Sequence, residues 1–208
     1  QLPDRPIVLG GCIGPFSLAA RIMGVSEALE LTIGDPGLVH VVVEKAAGFL
    51  AAYVQAFRAA GADGVLMAEP AAGLLSPRGM ATFSSAYVRR IVEPVEDGHF
   101  ARVLHNCAAK LVHLQAMIAA GPSVFHFGAP MDIAEALARV DPGIVLCGNL
   151  DPAATFLQAT PDQVAARVQA LLDAVGPRRS FILSSGCDVP PGASLECLDA
   201  FHAAAATA

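Results

Sequence analysis

His105 and Cys107 stand two residues apart behind the apolar pair Val103-Leu104, and Cys187 follows a second apolar run, Phe181-Ile182-Leu183, by way of Ser184-Ser185-Gly186. Side chains alternate along extended chain, so residues two apart point the same way and can serve one metal ion. Cys187 joins them if the two strand ends converge. Two thiolates and one imidazole form a good zinc donor set, and three protein ligands leave a fourth position open, the catalytic rather than the structural pattern. An HxC pair alone is common by chance; the distant strand-end cysteine gives it weight. Cys12, Cys147 and Cys197 read as small buried hydrophobes. An odd number of widely spaced cysteines argues against a disulfide framework and for a reducing, cytoplasmic setting.

Other reactive groups also follow apolar runs. Glu69 comes after Val65-Leu66-Met67-Ala68 and before Pro70. A carboxylate there is a candidate fourth zinc ligand, displaced by substrate, or a catalytic base. The plainer alternatives are a solvated loop residue and a helix-cap anion. His126 sits inside Val124-Phe125-His126-Phe127, either as a satisfied core histidine or as a residue lining a cofactor pocket. Asn149 and Asp151, in Gly148-Asn149-Leu150-Asp151-Pro152, bind a polar cofactor or substrate or else shape the turn. His40, His99, His113 and His202 read as packing or surface residues.

The elements that position these groups alternate. Six runs read as strands: Ile7-Val8-Leu9, Val65-Leu66-Met67, Val103-Leu104, Val124–Phe127, Ile144-Val145-Leu146 and Phe181-Ile182-Leu183. Helical periodicity covers Leu38 to Ala60, Ala108 to Ala120, Asp132 to Val140 and Pro161 to Val175. The last has Thr160 as cap, Pro161 in its first turn, Gln163 as the capping-box partner and Gly176 as its stop. Alternating strands and helices predict an α/β fold with a parallel sheet. Gly10-Gly11-Cys12-Ile13-Gly14 fits neither dinucleotide nor P-loop spacing, which weakens an open nucleotide-binding sheet. The expectation is a TIM-type (β/α)8 barrel, incomplete, with about six of eight units. In such a barrel the C-terminal strand ends, where the reactive groups lie, form the active face.

The 208 residues suit one domain spanning 1–208. The chain is 54% hydrophobic and 15% charged, as when parallel strands are buried on both faces. The competing class is a membrane protein, which needs roughly 20 consecutive apolar residues. No run reaches that; the nearest, 46–57, holds Gln55 between Lys45 and Arg58. The net charge is −6, and basic residues are scattered apart from pairs such as Arg89-Arg90 and Arg178-Arg179, so no nucleic-acid partner is expected. The chain opens on Gln1 rather than Met, as a fragment, a processed chain or a trimmed one would.

Leu104-His105-Asn106-Cys107 and the later stretch from Ile182 to Gly192 resemble the zinc motifs of the methylcobalamin:thiol methyltransferases, a branch of the uroporphyrinogen decarboxylase superfamily. Gly14-Pro15-Phe16 with Met23-Gly24, Gly61-Ala62-Asp63-Gly64, Leu75-Ser76-Pro77 and Gly148 to Pro152 are similar to segments general to that superfamily. The resemblance covers nearly the whole chain and implies a (β/α)8 barrel. It implies that His105, Cys107 and Cys187 hold Zn2+ and that Glu69 is a ligand or base. It further implies methyl transfer from methylcobalamin or a protein-bound corrinoid to a small thiol, with a corrinoid carrier protein as a possible partner. Two departures stand out. Ala108 replaces the usual glycine after the motif cysteine, which puts a methyl group in a tight loop. The first two β/α units are missing, so a second chain or an N-terminal segment is expected to complete the barrel. The competing readings are a metal-free decarboxylase of the same superfamily and an inactive corrinoid- or metal-binding module.

Overall fold

The structure, a computed structural model, describes residues 6–95, 98–177 and 180–206; the basic pair Arg178-Arg179 lies outside the described residues. Six strands form one sheet, β1 (Leu9–Ile13), β2 (Gly64–Ala68), β3 (Ala101–Asn106), β4 (Val124–Phe127), β5 (Val145–Leu150) and β6 (Phe181–Ser185). All neighbours pair in parallel and in sequence order. Among the described residues β1 and β6 each have one strand neighbour, so the sheet is unclosed. This is the expected partial barrel. β1 starts two residues later than the run at Ile7 suggests. There the Asp63 carboxylate accepts from the Val8 amide at 2.8 Å, and the Asp63 amide donates to the Val8 carbonyl at 2.7 Å, in place of a strand ladder.

The helices among the described residues are α1 (Pro15–Met23), α2 (Val25–Gly34), α3 (Pro36–Ala59), α4 (Pro77–Met80), α5 (Ala86–Val92), α6 (Leu114–Ile118), α7 (Ile133–Arg139), α8 (Pro161–Val175) and α9 (Leu195–Ala206). α8 begins and ends as its sequence dictates: Thr160 and Gln163 form a reciprocal capping box, and Gly176 follows with φ of 69°. Asp132 caps α7 by accepting from the Glu135 amide. The helix expected over 108–120 is much shorter, reduced to a 3₁₀ turn at Leu111–His113 and α6. Its first residues are held in a loop by Asn106, and Lys110 is extended.

One face of the sheet is sealed by helices: Val65, Met67, Leu104, Phe125, Phe127 and Leu146 are each at most 3% exposed. The register sets Ile13, Ala68, His105, His126, Cys147 and Ile182 side by side in one row across the opposite, concave face.

Counting apolar runs understates α3. This helix of 24 residues is long and apolar enough, by length and composition, to cross a membrane, with a window hydropathy of 1.4. In the fold, its Val39, Val43, Ala47, Leu50 and Val54 are buried, and it packs against α1 and α5. A second stripe at four-residue spacing, Val41, Phe49 and Tyr53, is exposed. It continues into Phe57, which lies over Gly10 of β1, where a Cβ would come within 2.4 Å of the ring. The stripe therefore ends over β1, a strand at the end of the sheet.

Candidate metal centre

β3 carries His105 and ends at Asn106, so Cys107 projects from the strand's end on the same side as His105. Cys187 lies two residues past β6. The structure brings the three together: their ligand atoms all lie within 4.8 Å of one another, and Cys187 Sγ is 3.8 Å from His105 Nε2. Tetrahedral zinc, with Zn–S and Zn–N bonds of ~2.3 and ~2.0 Å, requires ligand atoms about 3.5–3.8 Å apart. The donor set therefore fits zinc in chemistry, with its widest spacing about 1 Å beyond that of a tetrahedral zinc site.

The histidine is prepared for this role. Its Nδ1–H donates to the His126 carbonyl at 3.2 Å, which leaves the Nε2 lone pair facing the thiols. Burial, followed by the neighbouring His126, holds the His105 imidazole down at about 4, against smaller opposing effects of the His126 carbonyl and Asp188. It is thus neutral at physiological pH. Burial, followed by the adjacent Cys187, pushes the Cys107 thiol up. Without a cation, the Cys107 thiol resists ionising in this setting; a bound cation reverses that preference.

The ligands open onto a cavity of about 560 Å³ at the C-terminal ends of the strands, lined also by Leu66, Ala68, His126, Ser185, Asp188 and Val189. This volume is in the range of small-molecule sites. Asp188 is the one carboxylate among the described residues on that lining. Sequence alone assigns it no role, although its place beside Cys187 is a usable signal.

The Cys107 loop is built by Asn106, which is 1% exposed. Its Nδ2 donates to the Glu69 carbonyl, and its Oδ1 accepts from the amides of Ala108 and Ala109 at 3.0 and 2.8 Å. The extra methyl of Ala108 has room because residue 73 is glycine; a Cβ at 73 would meet it at 2.8 Å. The crowding expected at Ala108 is thereby relieved across the loop.

The structure does not bring the Glu69 carboxylate to the cluster. β2 ends at Ala68, whose side chain faces the cavity beside His105, so alternation sends Glu69 to the opposite side, under α1. There it is 1% exposed and accepts from the amides of Phe16 and Ser17 and from the hydroxyls of Ser17 and Ser84 at 2.6–3.0 Å. Burial pushes its carboxyl up, and these donors oppose that. In this geometry the Glu69 carboxyl accepts hydrogen bonds at the N-terminus of α1 and does not line the cavity.

Asn149 and Asp151 also face backbone rather than cavity. Asn149 Nδ2 donates to the carbonyls of Gly128 and Met131, and Asp151 accepts from the Ala154 amide at 2.8 Å. Both shape turns. His126 does line the cavity, beside His105, with ring centroids 4.6 Å apart.

The uroporphyrinogen decarboxylase (URO-D) family profile matches residues 1–208. A methylcobamide:CoM methyltransferase of Methanosarcina mazei is 32% identical over 195 residues, covering 91% of this chain and 56% of that protein. A uroporphyrinogen decarboxylase of Psychromonas ingrahamii is 29% identical, over 97% of this chain and 60% of that protein. Among solved structures, a methyltransferase from Methanosarcina mazei superposes with a TM-score of 0.84 at 25% identity, over 99% of this chain and 59% of that one. The chain thus spans somewhat more than half the length of the relatives it matches. With its parallel sheet, its strand-end site and a profile match from end to end, the chain belongs to the uroporphyrinogen decarboxylase (URO-D) family.

Proposed function

We propose that this chain carries the metal-binding half of a methyltransferase that moves a methyl group from a methylated corrinoid to a small thiol. The observation that carries the reading is the convergence of His105, Cys107 and Cys187 at the mouth of the cavity. The similarity to methylcobamide:CoM methyltransferases supports it. Zinc held by these three side chains would supply a Lewis acid that keeps a substrate thiol as its nucleophilic thiolate at neutral pH. The chain's own residues do the rest. His105 presents a neutral lone pair, the two cysteines contribute negative charge, and Leu66 and Ala68 give the cavity an apolar wall. Asp188, on the same lining, would receive the proton that leaves the thiol. A methylated corrinoid at the cavity would supply the methyl group: the thiol sulfur would form the S–CH3 bond as the bond to the corrinoid breaks, the electron pair remaining with the corrinoid. The corrinoid is taken free or from a carrier protein, and the reduced thiols are kept by a cytoplasmic setting.

Metal analysis tests the reading. Wild type purified under reducing conditions should hold about one zinc per chain, and Cys107→Ser and Cys187→Ser should each lose it. Methylcobalamin should then be demethylated by an added thiol in a zinc-dependent way. Several relatives are uroporphyrinogen decarboxylases, so metal-free decarboxylation is the second reading; a wild type without metal would favour it.

We also infer that the unpaired sides of β1 and β6 are closed by two further β/α units, from a second chain or a segment of the same polypeptide. The exposed stripe of α3 and the β1 edge, which has one strand neighbour among the described residues, support this, because such edges and patches invite association. The 208-residue chain alone should self-associate and bind a hydrophobic dye. A monodisperse monomer in sedimentation, without dye binding, would count against it.

A further inference from the structure

β4 supplies no metal ligand, yet it is tied to all three. Its His126 carbonyl accepts from His105 Nδ1. Just beyond it, Gly128 packs so close to the Cys107 backbone that a Cβ at 128 would stand 2.2 Å from the Cys107 carbonyl oxygen. The third tie runs through the His126 side chain. Its Nε2–H donates to the Ser185 carbonyl at 2.7 Å, and the Ser185 hydroxyl donates to the Cys187 carbonyl at 2.8 Å. This bond spans from β4 to the end of β6, past β5.

The end of β6 needs such a tie. β6 has one strand neighbour among the described residues, so the Cys187 loop is fastened from one side. Gly186 donates to the Leu150 carbonyl at 2.6 Å, which secures the loop to β5. His126 secures it to the strand that also orients His105. The same residue thus fixes the imidazole through its carbonyl and the distant thiol through its ring.

We propose that His126 is a positioning residue of the metal centre: its ring sets the separation between Cys187 Sγ and His105 Nε2 without ligating the metal. The inference rests on the zinc reading above. It differs from a role in contacting cofactor, because the ring N–H is committed to a backbone carbonyl.

The full chain is used for the test. His126→Leu keeps bulk and removes the donor, while His126→Gln returns an N–H near the place of Nε2. Ser185→Ala removes only the hydroxyl that holds the Cys187 carbonyl. Zinc affinity is measured by chelator competition, and thiolate geometry by the absorption bands of the cobalt(II)-substituted protein. Groups that hydrogen-bond to metal ligands and orient them are commonly worth about 10–100-fold in affinity. His126→Leu should weaken zinc binding by about that factor and shift the cobalt bands. His126→Gln should recover most of the loss, and Ser185→Ala should lose less than His126→Leu in the same direction. A His126→Leu protein with wild-type affinity and spectrum overturns the proposal, as does equal weakening by Leu and Gln, which marks ring packing alone. If His126→Leu fails to fold, the other two variants decide: wild-type affinity in Gln with weakened Ser185→Ala supports the tie, and an unchanged Ser185→Ala overturns it. Wild type without tight zinc overturns the metal reading itself, a result separable from normal wild-type binding with an indifferent His126.

Discussion

Glu69→Ala should destabilise the protein by about 2–5 kcal/mol, because it leaves buried hydrogen-bond donors without their acceptor. The carboxylate is the shared acceptor of four donors on two segments: the amides of Phe16 and Ser17, the Ser17 hydroxyl and the Ser84 hydroxyl. Alanine leaves the two amides facing a cavity, and unsatisfied buried donors cost about 1–3 kcal/mol each. The loss is large against a total stability of about 5–15 kcal/mol. Glu69→Gln should recover part of it: the amide oxygen can still accept from Phe16, but its NH2 would confront the Ser17 amide. Chemical denaturation of the chelated protein measures the loss, and zinc analysis of the folded fraction supplies the contrast. If the wild type holds zinc as proposed, the folded Glu69→Ala protein should hold it too, because the carboxylate lies outside the cluster of His105, Cys107 and Cys187. A variant with wild-type stability and abolished methyl transfer would restore the cavity-acid reading.

Glu69 also shows where sequence reading stops. Its position after a strand was legible, but its face was not, because the strand's last residue decides it. Once Ala68 is paired with His105, period-two alternation assigns Ala68 to the cavity and Glu69 to the α1 side. All six strands were legible because parallel strands covered on one face and lining a barrel on the other leave dense apolar runs with few competing patterns. The segment 108–120 was misread because its alanine-rich composition favours helix, whereas Asn106, from outside the segment, takes the first two amides of the would-be helix for the ligand loop. α1 was hidden by its brevity and by the family-like Gly14-Pro15-Phe16, although Pro15 at its first turn is a regular helix start. Among the site residues, type and spacing made the metal triad a candidate, and its resemblance to the family's zinc motifs carried the rest. The tie from His126 through Ser185 to Cys187 did not, since it joins residues 59 apart in sequence.

Metal-free protein should lose stability on the order of 3 kcal/mol as pH falls from about 6.5 to about 4, through His105 alone. In the folded chain this imidazole is held at about 4, whereas its ordinary value is 6.5. Between those limits the unfolded chain binds a proton at residue 105 that the folded chain does not, so stability decreases as pH decreases. The contribution is complete above 6.5 and gone below about 4. Burial is the main cause: the charged ring would lose water within the cavity wall and gain only the His126 carbonyl and a more distant Asp188 in return. Denaturant titrations of chelated wild type and His105→Gln across this range isolate the effect, because the other titrating groups are common to both. Wild type should show the additional slope and His105→Gln should not; parallel curves would mean that the folded site accepts the proton freely. Zinc-loaded protein should respond more steeply, since release of the metal lets both thiolates as well as the imidazole take up protons. A site that requires a neutral imidazole and two thiolates is therefore assembled by the fold for the imidazole but completed by the metal for the thiols.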